Sequence, residues 1–251
     1  MSESSPDLPP EILDLIVDHL HDKPDALKAC CIVSKSWIPR ARTHLFAYVE
    51  LDSRSIQRWK RRFPDPPTSP AHYARTLRFI NFQTFGLTTP AFTHSFCRVA
   101  DLQVATGMMG PDNCVSLGLL HGLSPTLKSL ALYYEKLPLS EILSLICSFP
   151  LLENLALRHP RPIGDTNGWD TPSTSPKLTG TLRLYDSGGP FITRGLLSLP
   201  NGLHFSKIVL RRPVEVAEAT MELVSKCSDT LESLSLEYLW SGMSSLVSVF
   251  I

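Results

Sequence analysis

The chain has 251 residues, 43% of them hydrophobic and 19% charged, and its 24 Lys and Arg balance 24 Asp and Glu to a formal net charge of +0. Those are the proportions of a globular protein, and the neutrality argues against general binding to nucleic acid or to an anionic membrane surface. The polar, acidic start MSESSPDLPPEIL is unlike a signal peptide, no apolar run approaches the ~18 residues of a membrane span, and the 6 cysteines show no CxxC or paired spacing, so free thiols and an intracellular location, cytoplasmic or nuclear, are expected.

Residues 1–5 are expected to form a disordered tail. Asp7 can cap a helix whose first turn holds Pro9 and Pro10, where a missing amide hydrogen costs nothing, and Glu11, which suits the positive end of the dipole. Leu13, Ile16, Val17 and Leu20 follow at i, i+3, i+4, i+7 and make one stripe, while Ile12 and Leu15 lie off its centre and widen the apolar face. Lys23-Pro24-Asp25 breaks this helix and starts a second, with Leu27 facing in. A third helix is expected to carry Ile32, Val33, Trp37, Ala41, Leu45 and Phe46, kinked or restarted at Pro39. About forty residues bury too little surface to be stable alone, so the surplus apolar face meets either a partner protein or the rest of the same chain.

The order Leu8-Pro9-Pro10-Glu11-Ile12-Leu13, the apolar helix to Leu20, the polar break, Leu27 and then Val33-Ser34-Lys35-Ser36-Trp37 resembles the F-box. That is the segment by which substrate receptors dock on the linker protein of SCF-type ubiquitin ligases. The resemblance covers roughly a sixth of the chain, and the spelling VSKSW-x-PRAR with a later SPAHYARTLR is most similar to the F-box families of mushroom-forming basidiomycete fungi. It implies an F-box-like helical module over residues 6–50, with a linker-binding surface at Leu8, Pro9, Ile12, Val33 and Trp37, of which Ile12 and Trp37 are the expected anchors. It also implies the SCF linker protein, and through it cullin, as partners.

Residues 51–70 read as a connector, since Pro64, Pro66, Pro67 and Pro70 resist helix and sheet. Its cluster Arg58, Lys60, Arg61 and Arg62 is either a solvated helix face or a contact for an acidic partner. Beyond it, LxxLxL occurs at Leu127-Leu130-Leu132, Leu152-Leu155-Leu157 and Leu231-Leu234-Leu236, whose starts differ by about one and three periods of about 26 residues, within the range of leucine-rich repeats. Weaker copies begin at Ala74, Val99, Thr179 and Phe205. Helical stretches at 117–123, 140–147, 195–199 and 215–227 alternate with these copies. The fold class expected is therefore α+β overall: an N-terminal three-helix F-box, then an irregular α/β leucine-rich-repeat solenoid of about seven repeats over 71–251.

The similarity to leucine-rich repeats is imperfect. The consensus Asn or Cys three residues after each motif is absent, so the polar ladder that ties such turns is missing and the geometry should be irregular. The stretch Arg158–Lys177 is long for a connecting loop, and such loops are commonly functional or disordered. The ending Leu246–Ile251 is apolar, which suggests a truncated last repeat without its polar cap.

No GxSxG, GxGxxG, Walker loop or HExxH is present, and the 8 histidines are isolated, so neither an enzyme, a cofactor nor a metal is expected. The residue just past each motif is Ile80, Ala105, Tyr133, Arg158, Tyr185, Arg211 and Glu237, and stacking would align these in one row. Tyr133, Arg158, Tyr185 and Arg211, with Arg183 and Lys207 in neighbouring rows, make a candidate surface for an acidic or phosphorylated peptide, although ordinary outer surface would look the same. The combination reads as a substrate receptor of an SCF ligase, with a non-ligase interaction scaffold as the alternative.

Overall fold

A leucine two residues from the next cannot share a helix face with it, but on a strand both project to one side. Each copy of the sequence motif accordingly places its last two apolar residues inward on a short strand. The computed structural model describes residues 9–81, 90–105, 118–123, 125–133, 138–158, 174–185, 190–211, 217–240 and 243–250. Nine strands occur among them: β1 (Tyr48–Leu51), β2 (Thr76–Ile80), β3 (Asp101–Ala105), β4 (Ser129–Tyr133), β5 (Asn154–Arg158), β6 (Thr181–Tyr185), β7 (Lys207–Arg211), β8 (Ser233–Trp240) and β9 (Met243–Phe250). They form one sheet in chain order, parallel from β1 to β8, with β9 antiparallel to β8.

Eight α-helices accompany the strands among the described residues: α1 (Pro10–Asp18), α2 (Pro24–Val33), α3 (Ile38–Leu45), α4 (Ser53–Arg62), α5 (Pro90–His94), α6 (Leu139–Cys147), α7 (Pro190–Leu197) and α8 (Ala217–Lys226). The fold is therefore α/β. The expected α+β class, a three-helix F-box followed by a separate leucine-rich-repeat solenoid of about seven repeats, is overturned by this single parallel sheet. The physical reason lies in residues 48–74. Tyr48–Leu51 is a strand that pairs with β2, and Val49, Leu51, Ile56, Ala71 and Ala74 all enter the same core as the later leucines. The prolines of the expected connector do not resist helix: Pro66 and Pro70 open 3-10 turns, where their missing amide hydrogens are harmless. Asp52 caps α4 by accepting from Ser55 N at 2.6 Å, and Ser55 Oγ accepts from Asp52 N at 2.6 Å.

Each strand is tied to the previous one at its start by a shared carbonyl. Ala47 O accepts from Arg75 N and Thr76 N at 2.8 and 2.9 Å. Arg75 O, Ala100 O, Lys128 O, Gly180 O and Ser206 O each accept a corresponding pair at the next strand, over 2.8 to 3.2 Å. β6 departs from the pattern. Gly180 N donates to Glu153 O at 3.1 Å, whereas Thr181 N donates to the side-chain Oδ1 of Asn154 at 2.8 Å. A Cβ on Gly180 would stand 2.5 Å from that oxygen, so any side chain there would have to displace Asn154. In this copy Leu178 fills the buried first position that the sequence motif assigns to Thr179.

The core has two parts. Val17, Leu27, Cys30 and Ala41 form a small cluster within the first three helices, with Leu20, Cys31, Trp37 and Leu45 packed against it. The main cluster runs from Val49 to Leu231 under the sheet. Trp59 stands where the helices meet the sheet, ringed by Phe46, Phe63 and Phe96 at centroid distances of 6.1, 5.2 and 5.8 Å, with its Nε1 donating to Ser69 Oγ at 3.3 Å.

Leu157, fully buried in β5, is expected to cost ~2–5 kcal/mol when replaced by Ala, whereas Met221→Ala on the exposed side of α8 should stay within ~0.5 kcal/mol; equilibrium urea unfolding measures both. Gly180→Ala should cost ~1 kcal/mol by displacing Asn154 from the Thr181 amide. In an Asn154→Ala background the same change should cost measurably less, because the displaced hydrogen bond is already gone.

Candidate functional site

Two surfaces have residues that packing does not explain. The first is apolar and lies on the N-terminal helices. α1 turns Val17 into the small core, which leaves Ile12, Leu15 and Ile16, at i, i+3, i+4, on its exposed side. α2 buries Leu27 and Cys30 and ends with Ile32 at 87% and Val33 at 71% exposure. The expected third helix does not include these two. Ser34 adopts extended backbone (φ −147°, ψ 138°), and its Oγ accepts from Ser36 N, which opens the turn Lys35–Trp37 ahead of α3. Pro39 then sits in the first turn of α3, restarting the helix rather than kinking it. The turn Lys35–Trp37 contacts both α1 and α2.

Of the five docking residues expected from sequence, Pro9, Ile12 and Val33 are exposed at this surface. Trp37 is partly buried against the cluster of Val17, Leu27, Cys30 and Ala41, so it holds the helices together as well as reaching the surface. Leu8, like the expected cap Asp7, lies outside the described residues. Ile32, placed in the wrong helix by the sequence reading, is the most exposed large apolar residue of the surface. Leu15 and Ile16 join it; the usable signal was the width of the α1 stripe.

An ionic clamp fixes α1 to α3. Arg40 Nε donates to Asp18 Oδ1 at 2.5 Å, its Nη2 donates to Oδ2, and His44 Nε2 lies 2.7 Å from Oδ1. The Arg40 guanidinium, and next the His44 hydrogen bond, hold the Asp18 carboxyl well below the usual carboxylate range.

The second surface is the outer face of the sheet, where three rows cross the strands. The row at the strand ends is in register as expected: Tyr133 opposes Arg158, Arg158 opposes Tyr185, and Tyr185 opposes Arg211, with Ala105 before them and Glu237 after. Tyr185 lies between two guanidiniums, its ring centroid 6.0 Å from Arg158 Cζ and 5.9 Å from Arg211 Cζ. Arg211 Nε is 3.4 Å from Glu237 Oε2. Arg183 stands in the middle row and Lys207 in the first, both exposed. The six residues named from sequence thus share one face over β4–β7. What the sequence reading missed is the depression beside them. Ala131 and Ala156 oppose each other in the middle row and leave a trough of about 420 Å³ between Gln103, Tyr133 and Arg183. The signal was the small central residue in LALY and LALR.

The basic cluster on α4 belongs to neither surface. Arg58, Arg61 and Arg62 are exposed, while Lys60 lies 5.4 Å from the Phe92 centroid and burial pushes its ammonium pKa down. Among the described residues no group of three or more His, Cys, Asp or Glu side chains is placed to hold a metal ion, and no helix is long and apolar enough to cross a membrane. The stretch 159–173, most of the long loop singled out in the sequence, is outside the described residues. No protein-family model matches the chain, and no curated protein matches it.

The clamp makes the helices acid-sensitive with a definite sign. Because the folded-state pKa of Asp18 is depressed, its stabilisation is complete above the ordinary value of ~4 and is lost as pH falls below it toward the folded value. Asp18→Asn should therefore destabilise α1 and α3 by ~1 kcal/mol at pH 7, a figure kept small by solvent screening of a partly exposed pair. The gap to wild type should close as pH drops from about 5 to about 2, read by amide hydrogen exchange in the two helices.

Proposed function

We propose that this chain is a non-catalytic adaptor with two protein-binding surfaces, and specifically a substrate receptor of an SCF-type cullin–RING ubiquitin ligase. The apolar residues of α1 and the end of α2 dock on the linker protein, and the outer face of the sheet captures substrate. The observation that carries the reading is the exposure of Ile32 and Val33, 87% and 71%, at the end of α2, together with that of Ile12, Leu15 and Ile16 on α1. Large aliphatic side chains left in water on a small helical unit favour a partner, and Val33 and Ile12 are among the positions that the resemblance to the F-box assigns to docking. The proposal rests on that surface and not on the two-part fold class, which the sheet replaces. An adaptor of this kind has no chemistry of its own: it raises the local concentration of substrate beside a ubiquitin-charged enzyme, so its contribution to rate is proximity.

Ile32→Asp and Val33→Asp alter exposed side chains, so the doubly substituted chain should keep its thermal midpoint while losing at least ~2 kcal/mol, roughly 30-fold, in affinity for the SCF linker protein. Ile12→Asp should act in the same direction. Trp37→Ala is expected to reduce folding stability too, because its ring packs on the small core. Linker binding by a folded Ile12→Asp/Ile32→Asp/Val33→Asp chain at wild-type affinity would remove the docking surface from consideration. Recovery of the linker without cullin from cells would redirect the reading to a scaffold outside the ligase.

A further inference from the structure

The outer face of the sheet carries an uneven charge. The chain as a whole is neutral, with 24 basic and 24 acidic residues, yet Arg158, Arg183, Lys207 and Arg211 all lie on the outer face of the three adjacent strands β5, β6 and β7. Glu237 pairs with Arg211 at the far edge of this group, and Asp101 lines the trough on the side away from the cations. Arg183 and Lys207 are exposed and have no ion-pair partner among the described residues. On β4 and β5 the middle row shrinks to Ala131 and Ala156, which form the trough of about 420 Å³. A cationic step therefore adjoins a shallow hollow with small side chains at its centre and Tyr133 on its margin.

We infer that this face takes an extended anionic peptide that crosses the strands, with an uncharged side chain seated over Ala131 and Ala156 and an anionic group against Arg183 and Lys207. The inference deepens the adaptor reading and rests on it, since it names what the capture surface would hold. Spacing follows from the sheet itself. From the trough, centred between β4 and β5, to the cations, centred between β6 and β7, is two interstrand steps, ~10 Å at ~4.8 Å each, which an extended chain covers in about three residues at ~3.3 Å per residue. The occupant should thus place its anion three residues from the side chain that fills the hollow. A guanidinium and an ammonium set diagonally on adjacent strands suit a carboxylate pair or a phosphate, and both carry the required chemistry. Tyr185 lies between the Arg158 and Arg211 guanidiniums in the row at the strand ends.

The test uses the purified full chain and a set of fluorescent ten-residue peptides. Each holds one leucine or tyrosine and, one to six residues away, a Glu-Glu pair, a phosphoserine or, as a neutral control, Gln-Gln. Fluorescence polarisation should find the tightest binding at a spacing of three, at least 10-fold above the neutral control, and weaker in high salt. Tighter binding of phosphoserine than of Glu-Glu would identify a modified ligand, and the reverse an acidic one. Arg183→Glu with Lys207→Glu should abolish the preference for anionic peptides, and Ala156→Phe should abolish binding by filling the hollow with every charge intact. Both variants should retain wild-type unfolding curves and SCF linker affinity, so failure here is separable from failure of linker docking. Equal affinity at every spacing, no gain over Gln-Gln, or unchanged binding after the double charge reversal would overturn the inference.

Discussion

A peptide carbonyl that accepts two successive amide hydrogens sets the register of nearly every strand in this chain. Ala47, Arg75, Ala100, Lys128, Gly180 and Ser206 supply it for β2, β3, β4, β5, β7 and β8 in turn. Two donors converging on one oxygen leave the incoming strand neither slip nor pivot, because a shift by one residue would lose both bonds and turn the leucines toward water. The polar side-chain ladder absent from the sequence is not needed, since the backbone supplies the tie. At β6 the tie is split between Glu153 O and the Asn154 side chain, and it is there that a side chain in place of glycine would displace the tie.

Register is what converts a pattern of leucines into a surface. With inner positions fixed on the core, every residue between them must lie outward at a set height, and the rows Tyr133 to Arg211 and Ala131 to Arg183 follow without further instruction. The helices at the N-terminus obey a different rule. There Val17, Leu27, Cys30 and Ala41 make a core too small to draw in all the apolar residues, and the Asp18 clamp holds α1 in place while its outer side stays apolar. One surface is thus polar and ordered by the backbone, the other apolar and left over by incomplete burial.

Much of this was legible from residue spacing. The seven motif copies each contain a strand, and the row of residues beyond them is in register. The overall class was not legible, and particular residues say why. Tyr48-Val49-Glu50-Leu51 offers two inward residues and no LxxLxL, so nothing marked it as the first strand of the sheet. α4 has just Ile56 and Trp59 on its inner side amid basic residues, and its clearest mark was the Asp52–Ser55 cap rather than any apolar stripe. Proline was weighted as a breaker where Pro66 and Pro70 sit at the tolerant first position of a turn. On the helical surface, Ser34 was treated as helix interior, although serine competes with helical hydrogen bonding and favours caps; that misplaced Ile32 and Val33. The trough escaped notice because alanine draws attention through what it does not fill.

The order of the sheet has a consequence for how the chain reaches and keeps its fold. Every parallel strand pairs with the one before it in sequence, so each new pairing closes a loop of similar length and meets a similar entropic penalty. Contacts are then local on the scale of a single strand-to-strand step, which favours nucleation at any point and growth in either direction. The same arrangement gives no strand a distant partner to hold it when a neighbour is lost. Damage to one strand therefore spreads along the array by peeling from the break rather than by collapse of the whole.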